Sequence, residues 1–134
     1  MGRLLVDTNI FLEILLEQGR ANEARALLSE TESYEFFITD YSFHSIGLIL
    51  LRRARYQAFQ VFVRDMVLSN VLKVISLPAE DMESVLDVAQ RFNLDYDDAY
   101  QYVSAEKYGL TLVSFDSDFD RTERGRKTPA NGLM

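Results

Sequence analysis

Residues 4–9 read Leu4-Leu5-Val6-Asp7-Thr8-Asn9, a short apolar run that ends directly in an aspartate. The pattern returns late in the chain, in Leu110-Thr111-Leu112-Val113-Ser114-Phe115-Asp116-Ser117-Asp118-Phe119. Both apolar runs have the length and composition of buried strands. Between them, Asp97-Asp98-Ala99 opens an amphipathic stretch that is typical of a helix. Strands alternating with helices in this way predict an α/β fold with a parallel sheet covered on both faces.

The three aspartate-bearing segments are expected to meet at one edge of this sheet. In a parallel α/β sheet the carboxyl ends of the strands and the starts of the neighbouring helices gather at the edge where ligands bind. Carboxylates a few ångströms apart repel each other by roughly 4 kcal/mol at an intermediate effective dielectric. Such a cluster must therefore take up a proton or hold a cation, and an all-oxygen site suits Mg²⁺ or Mn²⁺.

Each aspartate also has a simpler structural explanation. Asp7 is well placed to cap the helix that follows it, because Asp, Thr and Asn all cap well. One of Asp95, Asp97 and Asp98 is expected to be a cap at the start of its helix. Asp116 lies in a loop, where aspartates are common. The joint placement of the three segments, rather than any one residue, indicates a site.

Composition limits the possible classes of protein. The chain has 134 residues, which predicts a single domain over residues 1–134. It has no cysteine, which excludes disulfides and thiolate chemistry, and one histidine, His44, which excludes a histidine-rich metal site. No apolar run approaches a membrane span and the start lacks a signal pattern, so we expect a cytoplasmic protein without membrane contact. The net charge of −7 argues against binding nucleic acid by charge alone, but does not exclude a nuclease.

The sequence also predicts the order of the elements. Expected strands are residues 2–6, 35–39, 71–75 and 110–114, and expected helices are one after Asn9 that Gly19 ends, 21–28, 41–51, 56–68, one after Pro78, and 97–108. The basic segment 121–134 contains Gly125, Pro129 and Gly132, and is a candidate for a mobile tail or for a short edge strand.

These segments together resemble the PIN domain family. Leu5-Val6-Asp7-Thr8-Asn9 is similar to the opening of a PIN domain, and Asp98-Ala99 with Ala105 and Gly109 is similar to its late helix. Residues 112–119 are similar to the last signature of the family. The resemblance covers essentially the whole domain, with the spacing of VapC-like toxins. It implies a three-layer α/β/α sandwich and a metal-dependent endoribonuclease.

The resemblance also implies roles for individual residues. Asp7, Asp98 and Asp116 would be catalytic and would hold Mg²⁺ or Mn²⁺, while Asn9 and Ser114 would orient the carboxylates or a water molecule on the metal. Two further residues near the last strand, Asp118 and Arg121, are candidates for orienting the substrate or the metal.

One feature departs from the family pattern. PIN nucleases usually carry a glutamate in the helix after the second strand, and here that position falls on Ser45, or on His44 with a slip of one residue. Neither is a carboxylate. His44 is either a ligand or proton shuttle, or a structural or phosphate-facing residue. Three aspartates are possible substitutes for the missing carboxylate: Asp40, Asp97 and Asp118.

Two basic groups are candidates for binding RNA phosphates or an acidic segment of a partner protein. They are Arg52, Arg53 and Arg55 in the middle of the chain, and Arg121, Arg124, Arg126 and Lys127 near its end. The alternative is solvated surface charge. The second group follows the acidic site closely, which favours a function for Arg121 and Arg124.

The resemblance implies three partners: RNA, a small antitoxin protein and a second copy of the chain. The apolar content of residues 36–68 exceeds what one thin helical layer is expected to bury, which also favours a homodimer through those helices.

Other function classes fit less well. The main alternative is a PIN-fold module that binds RNA or protein and has lost activity with its glutamate. A phospho-receiver domain needs an acceptor aspartate after the third strand, and residues 74–78 contain none. A haloacid-dehalogenase-like phosphatase needs an aspartate where this chain has Asn9.

Overall fold

The computed structural model describes residues 2–130, and within them strands alternate with helices as the sequence predicts. The elements are β1 (Gly2–Val6), α1 (Thr8–Leu15), α2 (Ala21–Leu28), β2 (Tyr34–Thr39), α3 (Asp40–Arg52), α4 (Tyr56–Phe62), β3 (Leu72–Ile75), α5 (Met82–Phe92), α6 (Tyr96–Tyr108) and β4 (Thr111–Val113). A π-helical turn (Val63–Val67) and two 3-10 turns (Ala79–Asp81 and Ser117–Arg121) complete them.

The four strands form one parallel sheet in the order β3-β2-β1-β4. Leu4 lies opposite Phe36 on β2, and Leu5 lies opposite Leu112 on β4. The chain leaves β1 toward β2 on one side and returns to β4 on the other. The strand order therefore reverses between β1 and β4, which is the place where open α/β sheets bind ligands.

Helices cover both faces of the sheet. Successive side chains of a strand point to opposite faces, so each strand contributes to a buried cluster on either side. Leu5 packs with Val85 of α5 and Val103 of α6 in one buried cluster. Leu4 packs with Phe11 of α1 and Ile46 of α3 in the other. The expected three-layer α/β/α sandwich is confirmed.

Most helix and strand boundaries lie within two residues of the predicted ones. Two helix ends differ from the prediction by more than that. The helix predicted over 56–68 leaves α geometry after Phe62, and the Leu68 N–H donates to the carbonyl of Val63, five residues earlier. The prediction that Gly19 ends the first helix is wrong, because α1 stops at Leu15 and Glu17 already has a positive φ of 52°. The predicted stop at Gly109 is confirmed by its φ of 66°.

The basic segment after the last 3-10 turn runs along the edge of β4. The Lys127 N–H donates to the carbonyl of Leu112, and the Ser114 N–H donates to the carbonyl of Lys127. The two bonds form a single parallel bridge between Val113 and Lys127. Residues 131–134 of the predicted tail lie outside the described residues. No helix within residues 2–130 has the length and apolar character that a membrane crossing requires.

Candidate functional site

The reversal point of the sheet opens into an acidic cavity of about 280 Å³. Asp7 enters it directly after β1, Asp116 follows β4, and Asp98 comes from the first turn of α6. Asn9 from α1 and Ser45 from α3 also line it. The structure thus brings to one cavity the three aspartate segments that lie far apart in the sequence.

Asp7 is buried and held by four donors. Its Oδ1 accepts from the Thr8 N–H and from Gln101 Nε2, both at 2.7 Å. Its Oδ2 accepts from Ser114 Oγ at 2.7 Å and from Asn9 Nδ2 at 3.4 Å. Burial raises the pKa of Asp7 above its ordinary value, and the hydrogen bonds from Ser114, Thr8 and Gln101 oppose that rise. Asp7 is therefore a fixed carboxylate that also caps α1, and Asn9 and Ser114 orient it.

Three other carboxylates form a cluster, and two of them, Asp98 and Asp116, share the cavity with Asp7. Asp98, Asp116 and Asp118 each offer an oxygen that lies within 4.8 Å of the others. Asp98 is buried, Asp116 is half-buried and Asp118 is exposed. The sequence analysis named Asp118 as an orienting residue and as a possible substitute for the missing carboxylate, and the structure places it in this cluster. Its backbone N–H donates to Asp116 Oδ1 at 2.8 Å, which holds the turn that carries both aspartates.

The electrostatics of the cluster indicate what it can bind. Burial, a hydrogen bond with Asp116 and the repulsion of the charge on Asp116 raise the pKa of Asp98 to about 8. Asp95 and Asp7 add further repulsion. In the metal-free cluster these effects favour a proton on the pair formed by Asp98 and Asp116. A hard divalent cation neutralises the same repulsion, and the all-oxygen donor set fits Mg²⁺ or Mn²⁺.

Helix α6 provides one aspartate to the site and uses another as its cap. Asp95 Oδ1 accepts from the Asp98 N–H at 2.9 Å, so Asp95 is the N-cap. The expectation that one of the three aspartates caps this helix is confirmed. The third, Asp97, hydrogen-bonds with the Tyr41 hydroxyl and raises the pKa of that phenol.

The α3 residues at the position of the family glutamate separate into two groups. Ser45 lines the acidic cavity. His44 and Asp40 line a different groove of about 580 Å³. Asp40 Oδ1 accepts from the Tyr100 hydroxyl at 2.8 Å. Among the candidates on α3, only Ser45 reaches the acidic cavity.

Gln101 is a functional candidate that the sequence analysis missed. Its side chain is 2% exposed, and its Nε2 donates to Asp7 Oδ1 and to Ser42 Oγ, both at 2.7 Å. Its Oε1 is buried without a hydrogen-bond partner in the described part of the chain. Gln101 follows Asp98 by three residues and so shares its face of α6, which is a signal that helical spacing could have given.

Two arginines near the end of the chain, Arg121 and Arg126, form ion pairs and hydrogen bonds within the domain. Arg121 pairs with Asp118 at 3.2 Å and donates to the carbonyls of Phe92 and Asn93 at the end of α5. Arg126 pairs with Asp120 and donates to the carbonyl of Ser114. The positive charge of Arg121 thus lies beside the acidic cluster, and three of its five N–H donors already form hydrogen bonds within the protein.

The fold and the site define the class of protein: a three-layer α/β/α domain with an acidic cavity at the switch point of a parallel sheet. The family model of the PIN domain matches residues 4–125, and the chain belongs to this family. The expectation drawn from the motifs is confirmed.

Solved structures with the same fold include several toxins. A toxin-antitoxin complex from Klebsiella pneumoniae has a chain that is 22% identical, with a TM-score of 0.70, covering 94% of this chain and 97% of that one. VapC20 from Mycobacterium tuberculosis, a sarcin-ricin loop cleaving toxin, is 21% identical, with a TM-score of 0.72 and coverage of 87% and 92%. VapBC2 from Rickettsia felis, bound to a DNA fragment from its promoter, is 12% identical, with a TM-score of 0.68 and coverage of 94% and 96%. No curated protein sequence matches this chain.

Proposed function

We propose that this protein is a metal-dependent endoribonuclease and the toxin of a toxin-antitoxin pair. Two observations carry the proposal: Asp98 and Asp116 share a cavity with the buried Asp7, and their carboxylate oxygens lie within 4.8 Å of one another and of an oxygen of Asp118. Membership of the PIN family supports it. The fold shared with VapC20, which cleaves RNA, and with a chain of a toxin-antitoxin complex adds support.

The residues of the site have distinct roles in this proposal. Asp98 and Asp116 hold Mg²⁺ or Mn²⁺ together with Asp7 or Asp118. When bound, the ion activates water for in-line attack on a phosphodiester and stabilises the leaving oxygen. Asn9 and Ser114 keep the carboxylate of Asp7 in one orientation, and Gln101 holds it from the side of α6.

Cleavage of RNA by the purified protein tests the proposal. We expect cleavage of single-stranded or hairpin RNA in the presence of Mn²⁺ or Mg²⁺, and none in EDTA. Adding excess Mn²⁺ back to the EDTA-treated protein should restore cleavage, which controls for damage by the chelator. Protein that binds RNA without cutting it in either metal would contradict the proposal.

RNA binding without cleavage is the result expected of the alternative function, a PIN-fold module that binds RNA or protein. One observation favours this alternative: α3 contributes Ser42 and Ser45 to the acidic cavity but no carboxylate. The two functions therefore differ in how well the site holds a metal ion.

Substituting Ser45 with glutamate tests whether this position limits metal binding. We expect Ser45→Glu to tighten Mn²⁺ binding by about tenfold and to speed cleavage, because a hard cation gains a carboxylate in or near its ligand shell. The variant should melt earlier in metal-free buffer, since a further charge joins a repelling cluster, and Mn²⁺ should rescue it. His44→Glu is the matched control, because His44 lines the other groove. A folded Ser45→Glu variant with unchanged Mn²⁺ affinity would show that Ser45 is not the equivalent position.

A small antitoxin and a second copy of the chain are the proposed protein partners. Five of the eight large apolar side chains that are exposed among residues 2–130 lie between residues 48 and 68: Leu48, Leu51, Tyr56, Val61 and Leu68. Leu48 and Leu51 line one groove, and Tyr56 and Val61 line another. Exposed apolar surface of this kind is typical of a protein interface. We propose that α3 and α4 form the homodimer interface.

Light scattering tests this interface. The wild-type protein should have the mass of two chains at micromolar concentration, because dimerisation removes the exposed apolar side chains of residues 48–68 from water. Leu48→Glu/Leu51→Glu should shift it to the mass of one chain. Leu86→Glu, on the exposed face of α5, is the control and should leave the dimer intact. A monomeric wild-type protein would exclude the interface.

A further inference from the structure

A second cavity, of about 320 Å³, adjoins the acidic one. The two cavities share Asn9, Leu12 and Ile49 as lining residues. The two cavities are therefore direct neighbours on the surface. The second cavity differs in charge, because it is lined by two arginines, Arg20 and Arg53.

One face of α3 leads from the acidic cavity to Arg53. Ser42, Ser45, Ile49 and Arg53 follow each other at intervals of three and four residues, so they lie along one side of the helix and its C-cap. Ser42 and Ser45 line the acidic cavity, Ile49 lines both, and Arg53 lines the second. Arg53 is exposed and forms no ion pair within residues 2–130.

Arg20 reaches the same cavity from the loop between α1 and α2. Its guanidinium lies over the ring of Phe115, 4.2 Å from the ring centroid. Phe115 immediately precedes Asp116, and its N–H donates to Asn9 Oδ1 at 3.1 Å, so the stacking ties Arg20 to the frame of the acidic site. A stacked guanidinium keeps its N–H groups available in its plane. Arg20 also forms no ion pair within the described residues.

One carboxylate, that of Glu13, also lines the second cavity, and one of its oxygens already accepts a hydrogen bond. Glu13 Oε1 accepts from the backbone N–H of Arg20 at 2.7 Å, which fixes the loop that carries Arg20. The cavity therefore has two guanidinium charges against one carboxylate. Arg121 and Arg126, by contrast, are ion-paired with Asp118 and Asp120.

We infer that the cavity between Arg20 and Arg53 binds a phosphate of the RNA strand next to the phosphate that is cleaved. The inference rests on the proposed function, which places the cleaved phosphate at the acidic cavity. A chain of net charge −7 repels a polyanion, so a strand that reaches the acidic site needs local cations beside it. Guanidinium groups match the geometry of phosphate oxygens and bind them in a bidentate manner.

The test compares RNA binding by Arg20→Gln/Arg53→Gln with binding by the wild-type protein. The control is Arg25→Gln/Arg64→Gln, which removes the same charge from exposed arginines that line neither cavity. The probe is a fluorescein-labelled single-stranded RNA in EDTA, so that the strand stays intact, and fluorescence anisotropy is followed across a series of salt concentrations. Thermal shift with Mn²⁺ alone provides a readout of the metal site in each protein.

The test variant is expected to weaken RNA binding by about fivefold for each arginine, the upper end for exposed ion pairs. The slope of log affinity against log salt should fall by about 0.7, which corresponds to one phosphate contact on a single strand. The thermal shift with Mn²⁺ should not change. The control variant should lose much less binding.

Three results would overturn the inference. Equal RNA binding by the test and control variants, in a protein that still cleaves RNA, overturns the phosphate site and leaves the nuclease proposal standing. Wild-type protein that neither binds nor cleaves RNA overturns both. A test variant that keeps RNA binding but loses binding of a polyglutamate peptide assigns the cavity to an acidic protein segment instead.

Discussion

Replacing Asp98 with asparagine is expected to stabilise the metal-free protein at pH 8 by several kcal/mol, an unusually large gain for one substitution. The reason is the repulsion around Asp98, whose pKa rises to about 8 in the folded protein. In the unfolded chain the same carboxyl has a pKa of about 3.9. At a pH between these two pKa values, Asp98 is therefore mostly protonated in the native state and mostly ionised in the unfolded state.

The sign of the pH dependence follows from this difference. A group whose pKa is raised by folding contributes its full stability below the unfolded pKa and loses it as the pH rises through the folded pKa. The free energy of unfolding of the wild-type protein should therefore fall between about pH 4 and about pH 8. Asparagine resembles the neutral carboxyl and cannot ionise. The free energy of unfolding of the variant should therefore not show the decrease with pH that Asp98 causes in the wild-type protein. The raised pKa of Asp7 acts in the same direction in both proteins.

Urea unfolding in EDTA at several pH values measures the effect. The stability difference between Asp98→Asn and wild type should be small near pH 4 and should grow toward pH 8. Asp87→Asn is the control, because Asp87 is exposed and pairs with Arg91 on the surface of α5. A difference that stays constant with pH, or a variant that is less stable than wild type at pH 8, would contradict the proposed crowding of carboxylates.

The second large effect is expected on metal binding. Asp116→Asn should weaken Mn²⁺ binding by about a hundredfold or more, because Asp116 hydrogen-bonds with Asp98 and provides an oxygen to the cluster. At a Mn²⁺ concentration of about 100 times the wild-type dissociation constant, binding stabilises the native state by about 2.7 kcal/mol. A hundredfold loss of affinity would reduce that gain to about 0.4 kcal/mol. Cleavage of RNA should fall with it.

Isothermal titration with Mn²⁺ and thermal melting with and without Mn²⁺ both report this loss. Asp120→Asn is a close control, since Asp120 lies in the same 3-10 turn but pairs with Arg126. The control should keep wild-type affinity. If Asp116→Asn bound Mn²⁺ as well as wild type did, the cluster would not be the metal site.

The local pattern of the sequence was enough to predict the layers of the fold. Apolar runs such as Leu4–Val6 are short and end in polar turns, and the helices between them carry caps that the structure confirms at Asp95 and Gly109. These signals depend on neighbouring residues, so a single sequence contains them. The π-helical turn after Phe62 has no such local signal, and the helix predicted there was too long.

The site was predictable only as a set of candidate residues. Gln101 contacts Asp7 across 94 positions of sequence, and Ser114 contacts it across 107. Contacts of this separation depend on how strands and helices are arranged in space, which local periodicity does not give. The same reason explains why Asp118 joins the carboxylate cluster and why Arg20 stacks on Phe115, a pairing that no motif indicates.

A crystal structure of the protein with Mn²⁺, with anomalous scattering measured at the manganese edge, tests the central claim most directly. The claim is that Asp98 of α6 and Asp116 of the loop after β4 share one cation with Asp7 or Asp118. We predict one strong anomalous peak in the acidic cavity, with oxygens of Asp98 and Asp116 and one of Asp7 or Asp118 at about 2.0–2.3 Å. A peak bound elsewhere on the protein, or an acidic cavity without a peak in crystals that hold Mn²⁺, would contradict it.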